Sequence, residues 1–393
     1  MKHPRTVDPM PDAVVPAAAD PQGPPCLPDP PGPHGRPGTP GAPDRTGPLG
    51  TPDPPGVRRT DRSGSGHGPR LDTATAALLV ADAVTAPSLH NAQPWRFVLR
   101  ADSGVLELRG DPERAMPRTD PDHRGLHLGC AAALFNLRVS AAAHGLGARV
   151  ALLPDAGDPW LLATVAVGPA RGGADPVAAL HGALRRRRTS RLPFGDEPVP
   201  DAVLDGLRAA ARLEGCRLTV PDAWHTATVL ALVRDAEQRE EADPLARAET
   251  AAWTGRAPDA ARRDGIPAEA FGPRGTGGRT VPVRDFGRTR RVPGRGRAAF
   301  EARPRLALLG TPGDTRADWL LAGQALEHVL LRATTDGLAT SMTSQPLEWP
   351  ELRWTVRDPR ASVGNVQMVL RLGYGPTGPA TPRRPVAEVL DVP

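Results

Sequence analysis

From about Leu71 onward the sequence predicts an α+β fold of two related halves, fused in one chain and packed around a pair of central helices. Three observations predict it. Two long apolar helical stretches end in matching pairs, Gly145-Leu146 and Gly337-Leu338, and overlaying those ends aligns Ala131 with Gly323, Leu134 with Leu326 and Ala141 with Ala333. A strand and an Asp-containing turn precede each helix: Val105–Leu108 with Asp111, then Leu306–Leu309 with Asp314. After each comes a strand ending in glycine, Ala163–Gly168 and Met368–Gly373. The offset of about 200 residues is too long for a solenoid repeat and fits an internal duplication, a dimer collapsed into one polypeptide.

Residues 1–70 stand apart from this pattern. About 19 of the 48 prolines fall there, in runs such as Pro28-Asp-Pro-Pro-Gly, without hydrophobic periodicity. Such a segment buries too little apolar surface to offset its ordering entropy and is expected to be a disordered tail. Order is expected to begin at Leu71-Asp-Thr, where Asp72 or Thr73 can cap a helix whose apolar positions are Ala76, Leu78, Leu79, Ala83 and Val84. Strands follow at Arg96–Leu99 and Val105–Leu108. The first central helix is expected from Leu126 to His144, closed by Gly145 as C-cap, and a short helical stretch at Val177–Leu184 opens the second half. The halves divide as 71–176 and 177–393. Asp243–Arg303 is rich in Arg, Gly and Pro around isolated anchors Trp253, Phe271, Val283 and Phe286, and reads as a lid-like insertion in the second half. Ala317–Asp336 is the second central helix.

Composition narrows the function. The net charge of +5 is intermixed with 44 acidic residues, and aromatics are only 4%, so no specific nucleic-acid partner is expected. Lys2 is the single lysine and arginine supplies the remaining basic residues, so an arginine cluster alone is weak evidence of a site. Three scattered cysteines, Cys26, Cys130 and Cys216, suit neither a disulfide framework nor a zinc cage, and a reducing, cytoplasmic setting is expected. No run of ~18 or more apolar residues suggests a membrane span. Asp120, Asp122, His123 and His127 lie at a turn entering a helix, where capping explains them better than a metal does, and no nucleophile elbow is present.

Two segments carry chemistry. Ala86-Pro-Ser-Leu-His-Asn-Ala-Gln-Pro-Trp95 is stiffened by Pro87 and Pro94 and displays Ser88, Asn91 and Gln93, whose donors and acceptors suit the edge of a flat heteroaromatic ring. Arg185-Arg-Arg-Arg-Thr-Ser-Arg191 offers guanidinium forks and hydroxyls that match phosphate oxygens, and Arg383-Arg384 supplies a second clamp. A solvated basic run is the competing reading of those arginines.

Together these segments resemble the flavin-dependent nitroreductase family, and closely its Acg-type actinobacterial branch, over Leu71 to Val389. The run Ala-Pro-Ser-x-x-Asn-x-Gln-Pro-Trp matches in full. Arg187-Arg-Thr-Ser-Arg-x-x-Phe resembles the family's phosphate motif with one added residue and Thr189 in place of Ser. Asp314–Leu320, Gly323–Leu326, Leu370–Gly375 and Thr381–Pro385 look like the Acg branch specifically. The resemblance implies a nitroreductase-like fold forming an intramolecular pseudo-dimer, and FMN as cofactor with NAD(P)H as electron donor. It also implies a small-molecule nitroaromatic or quinone-like acceptor. By it, Pro87, Ser88, Leu89, Asn91 and Gln93 contact the flavin ring, and Met342, Thr343 and Ser344 line its reactive edge. Arg187, Arg188, Thr189 and Arg191 hold the phosphate, with Arg383 or Arg384 completing the clamp. No side chain is required as acid or base. The first half carries the ring segment and the second the phosphate motif, so one flavin per monomeric chain is implied. An FMN storage protein with a lid over the ring is the alternative.

Overall fold

A computed structural model describes residues 71–170, 172–173, 175–255, 263–276, 283–288, 291–361 and 363–393. The expected tail and Cys26 lie outside the described residues, as do three stretches of the insertion.

The first half starts with α1 (Thr73–Ala83), capped by the Asp72 carboxylate, which accepts from Thr75 N–H at 2.8 Å. Then come β1 (Trp95–Arg100), β2 (Val105–Gly110), α2 (Arg124–Ala143), β3 (Leu146–Leu152) and β4 (Leu161–Pro169). The second half repeats the plan with α3 (Asp201–Leu213) and β5 (Arg217–Thr219). Next come two helices absent from the first half, α4 (Ala223–Ala242) and α5 (Pro244–Ala252), and the paired two-residue strands β6 (Arg274–Gly275) and β7 (Arg297–Ala298). It continues with β8 (Arg305–Thr311), α6 (Arg316–Thr335), β9 (Ala339–Thr343), α7 (Pro350–Thr355), β10 (Asn365–Gly373) and the terminal β11 (Leu390–Asp391).

The two main sheets have the same topology. One runs β11-β1-β2-β4-β3 and the other β5-β8-β10-β9, so β1-β2-β4-β3 corresponds strand for strand to β5-β8-β10-β9. Within each, neighbouring strands of this common core are antiparallel, and the long helix lies between the second and third strands in chain order. Gly145 and Gly337 close α2 and α6 in the left-handed region, at φ 71° and 79°. In the first half residues 101–104 turn directly from β1 to β2. In the second the chain leaves β5 at Thr219 and returns only at Arg305. The inserted segment therefore begins earlier than the Asp243 expected from composition, because α4 and α5 are regular helices.

α2 and α6 cross at the centre, where small residues let their backbones meet. A Cβ on Gly323 would lie 2.4 Å from the Leu128 carbonyl oxygen and 2.6 Å from Ala131 Cβ. Neither atom can move without displacing α2, so Gly323→Val is expected to cost at least about 3 kcal/mol, the upper end for overpacked cores. A urea midpoint within experimental error of wild type would contradict that contact. Among described helices only α2 is long and apolar enough to cross a membrane, and it is spent as this buried core. The C-terminal segment returns to the first half, where Phe97 N–H donates to Val389 O at 2.7 Å and β11 pairs parallel with β1.

Candidate functional site

A cleft enclosing about 1090 Å³ of free space including its mouth lies beside the α2–α6 crossing. Pro87–Asn91 forms one wall and Arg187–Thr189 with Arg191 the opposite one. Met342 and Ser344 come from the end of β9, Thr381 and Arg383 from the C-terminal segment, and Ile266, Arg284 and Phe286 from the insertion. Leu128, Leu326 and Met368 supply apolar floor. Gly129 is needed for the turn to sit against α2, since its Cβ would stand 3.1 Å from Ser88 Cβ.

The Pro87–Pro94 turn is strained. His90, Asn91 and Gln93 all take left-handed backbone angles (φ 48°, 58° and 53°), which non-glycine residues adopt only when their surroundings impose it. Polar side chains of the turn hold this shape, while Ser88 and Asn91 also line the cleft. Ser88 Oγ accepts from Gln93 N–H at 2.9 Å. Asn91 Nδ2 donates to the carbonyls of Gly265 (2.9 Å) and Pro382 (3.0 Å), and its Oδ1 accepts from Arg383 at 2.8 Å. Gln93 is fully buried outside the cleft lining, donating to Arg263 O at 2.8 Å and accepting from Arg384 N–H at 2.8 Å. Asn91 and Gln93 are thus clasps between the turn, the insertion and the C-terminal segment. What the turn otherwise offers the cleft is its backbone, Leu89 and the His90 imidazole. His90 escaped the sequence reading. It is buried, neither ring nitrogen has a protein partner, and burial followed by the nearby Arg284 and Arg191 charges holds its pKa well below the usual range, so it is neutral.

The arginine run divides. Arg185 reaches the buried Asp82 carboxylate and Arg186 caps Gly182 O at the surface, whereas Arg187, Arg188 and Arg191 face the cleft. Ser190 is pinned by its N–H to Thr340 O (2.8 Å) and its hydroxyl to Pro376 O (2.8 Å), which sets the spacing of its neighbours. Arg191 donates to Ala270 O of the insertion at 3.1 Å and stands 5.0 Å above the Phe286 ring. Arg383 binds Thr381, Asn91 Oδ1 and Thr85 O. Arg384 turns away toward Glu388 O and, like Thr343, is not in the lining.

Charge is unevenly distributed in the cleft. Arg284 is neutralised: burial disfavours its charge, but Glu348 at 2.6 Å and Glu240 at 2.8 Å outweigh this and raise its pKa. At the other end Arg187 and Arg383 share one carboxylate, Glu327, 3.5 Å from Arg187 Nε, and Arg188 lies beside them. Burial and then the Arg187 charge push Arg383 down to about 9, and burial with Arg284 pushes Arg191 down to about 10. Buried cations set side by side with so little opposite charge are poised for an anion, and the planar forks with the Thr189 hydroxyl suit a phosphate. Residues 266, 284 and 286 could not be placed here from sequence, since no local signal tells which insertion residues fold inward. Among the described residues no cluster of three or more potential metal ligands occurs.

A nitroreductase family model matches residues 184–353, covering the arginine segment, α6 and β9. A Mycobacterium tuberculosis protein named "Putative NAD(P)H nitroreductase Rv3131" is 35% identical over 333 residues, spanning 83% of this chain and 93% of the relative. Another from that organism, "Putative NAD(P)H nitroreductase acg", is 34% identical over 319 residues, or 79% and 93%. Among solved structures, the FMN-dependent nitroreductase NfnB of Mycobacterium smegmatis in complex with NADPH aligns with a TM-score of 0.33 at 15% identity, covering 55% of this chain and 97% of that one. With identity sustained across almost the whole length of its relatives, the chain belongs to the nitroreductase family.

Proposed function

We propose that the cleft holds one FMN per chain and that the protein is an NAD(P)H-dependent flavin oxidoreductase acting on a nitroaromatic or quinone-like acceptor. The observation that carries this reading is the excess of guanidinium in the cleft lining, Arg187, Arg188 and Arg383 with the Glu327 carboxylate beneath Arg187, next to the Pro87–Asn91 turn and apolar side chains. In this reading the halves, 71–176 and 177–393, work as a monomer with internal pseudo-two-fold symmetry. The first supplies the ring wall and the second, with its 243–303 insertion, the phosphate end.

When bound, FMN supplies the hydride chemistry. The protein's part is to position and to exclude water. Arg187, Arg188, Thr189 and Arg383 hold the phosphate. Pro87, Ser88, Leu89 and the strained His90–Asn91 backbone set the ring plane, and Met342 and Ser344 border it. Ile266 and Phe286 close the cleft from the insertion, with Arg191 set against Phe286. The neutral His90 imidazole can donate one hydrogen bond and accept another inside that enclosure.

The second reading, FMN storage, is favoured by the number of contacts that tie the insertion over the ring wall, Asn91 to Gly265, Gln93 to Arg263 and Arg191 to Ala270. Anaerobic mixing with NADPH separates the two. We expect one flavin per chain and rapid bleaching of its visible band. Bleaching no faster than for free FMN would favour storage, and a chain that cannot be loaded with FMN would end both readings.

A further inference from the structure

Beneath the phosphate end of the cleft lies a carboxylate with an unusual environment. Glu327, on α6, is fully buried, and neither of its oxygens is within hydrogen-bonding geometry of a protein donor. Arg187 faces it with Nε at 3.5 Å, beyond a good hydrogen bond, and that Nε has no other protein partner. Across the helix crossing, Asn136 of α2 gives one amide hydrogen to Thr85 Oγ1 at 3.1 Å, and its second is left to ease the charge on Glu327. From the C-terminal segment only Arg383 adds charge, and His328, next on α6, turns to Glu214 at 3.1 Å. Every charged group facing Glu327 is therefore a guanidinium that also lines the cleft. A buried ion is normally hydrogen-bonded on all sides, because an incompletely paired one forfeits its hydration without return. Besides the Asn136 amide, Glu327 is held by charge, and by the same charge that the phosphate requires.

We propose that Glu327 reads the phosphate: its carboxylate and the phosphate of a bound flavin draw on the same Arg187 and Arg383, and phosphate binding drives a proton onto Glu327. The proposal rests on the cofactor reading above and deepens it. Burial, only partly offset by Arg187, raises the Glu327 pKa to about 7, so the proton is exchangeable near neutrality. The sign follows from charge. A dianion brought against Arg187 repels the carboxylate and weakens its hold on the guanidinium, so the carboxyl's pKa rises and binding takes up a proton. Affinity for a phosphate-bearing flavin then falls as pH rises through the Glu327 range, whereas a flavin without phosphate is indifferent. The device gives the site a preference between FMN and riboflavin that varies with pH, and it makes FMN easier to release when the cell interior is alkaline.

The test is calorimetric titration of the full chain, stripped of flavin, with FMN and with riboflavin at pH 8 in buffers of different ionisation enthalpy. A phosphate monoester has a second pKa of ~6 and is already dianionic there, so its own titration contributes little. The expected result is uptake approaching one proton per FMN and none with riboflavin. Glu327→Gln is expected to abolish the uptake and to bind FMN several-fold tighter at pH 8 with riboflavin affinity unchanged. Glu327→Met serves if the glutamine variant does not fold. FMN binding without proton uptake, equal uptake with riboflavin, or uptake that persists in the variants would overturn the role of Glu327 and leave the cofactor reading intact. Failure of FMN to bind would overturn the cofactor reading itself, and this inference with it.

Discussion

Replacing Glu301 by alanine is expected to destabilise the protein by about 3–5 kcal/mol, the cost of leaving a buried charge without its partner. Arg371, on β10, is completely buried, and its guanidinium fork meets Glu301 at 2.5 and 2.7 Å while donating twice to Leu192 O at 3.1 Å. The Phe194 ring stacks 3.5 Å from the same guanidinium, and Phe194 N–H donates to Glu301 at 3.2 Å. These contacts fix the chain immediately after Arg191, so the loss reaches the cleft as well as the core. Against a typical total stability of ~5–15 kcal/mol the change is severe. Urea unfolding should show a lowered midpoint, and Arg371→Met in the same background should recover much of it, since an apolar replacement removes the stranded charge. A Glu301→Ala protein within about 1 kcal/mol of wild type would mean that solvent reaches Arg371 and that the pair is ornamental.

The second large effect concerns the cofactor. Arg383→Met is expected to weaken FMN binding by about 10- to 150-fold, the equivalent of ~1.5–3 kcal/mol for a charge-assisted hydrogen bond. The control is riboflavin. Arg383 also donates to Asn91 Oδ1, so part of any loss comes from loosening the ring wall, and that part falls on both flavins alike. A loss larger for FMN than for riboflavin identifies the phosphate contact. An equal loss for both would make Arg383 a clasp only, and unchanged FMN affinity would remove it from the site.

Much of the fold was legible because its signals are local. Asp72 marks a helix start by the carboxylate that accepts from Thr75 N–H, Gly145 and Gly337 mark helix ends by a left-handed conformation that glycine tolerates cheaply, and the apolar spacing did the rest. α4 was missed although its signal was present: His225, Val229, Val233 and Ala236 are its buried row, and the Asp222 carboxylate caps it at 2.7 Å. The density of Arg, Gly and Pro drew α5, but not α4, into the expected insertion from Asp243. β11 carried no signal at all, since a two-residue strand exists only because β1 offers an edge. At the cleft, residue types that suit a phosphate could be recognised from sequence, and Arg187, Arg188, Thr189, Arg191 and Arg383 do converge there. The roles of Asn91 and Gln93 could not be recognised. Their partners are the backbone carbonyls of Gly265, Arg263 and Pro382, and any residue presents a carbonyl.

The return of β11 to β1 has a consequence for how the protein is made. On the ribosome the first sheet emerges early, but the strand that covers its β1 edge is translated about 300 residues later, a delay of roughly 15–60 s at ~5–20 residues per second. Through that interval Trp95–Arg100 presents an open strand edge, the kind of surface that recruits a neighbouring chain. The residues that close it, Val389 to Asp391, belong to the far end of the second half. A truncation that removes them therefore acts on the first half of the molecule, and expression yield is its first readout.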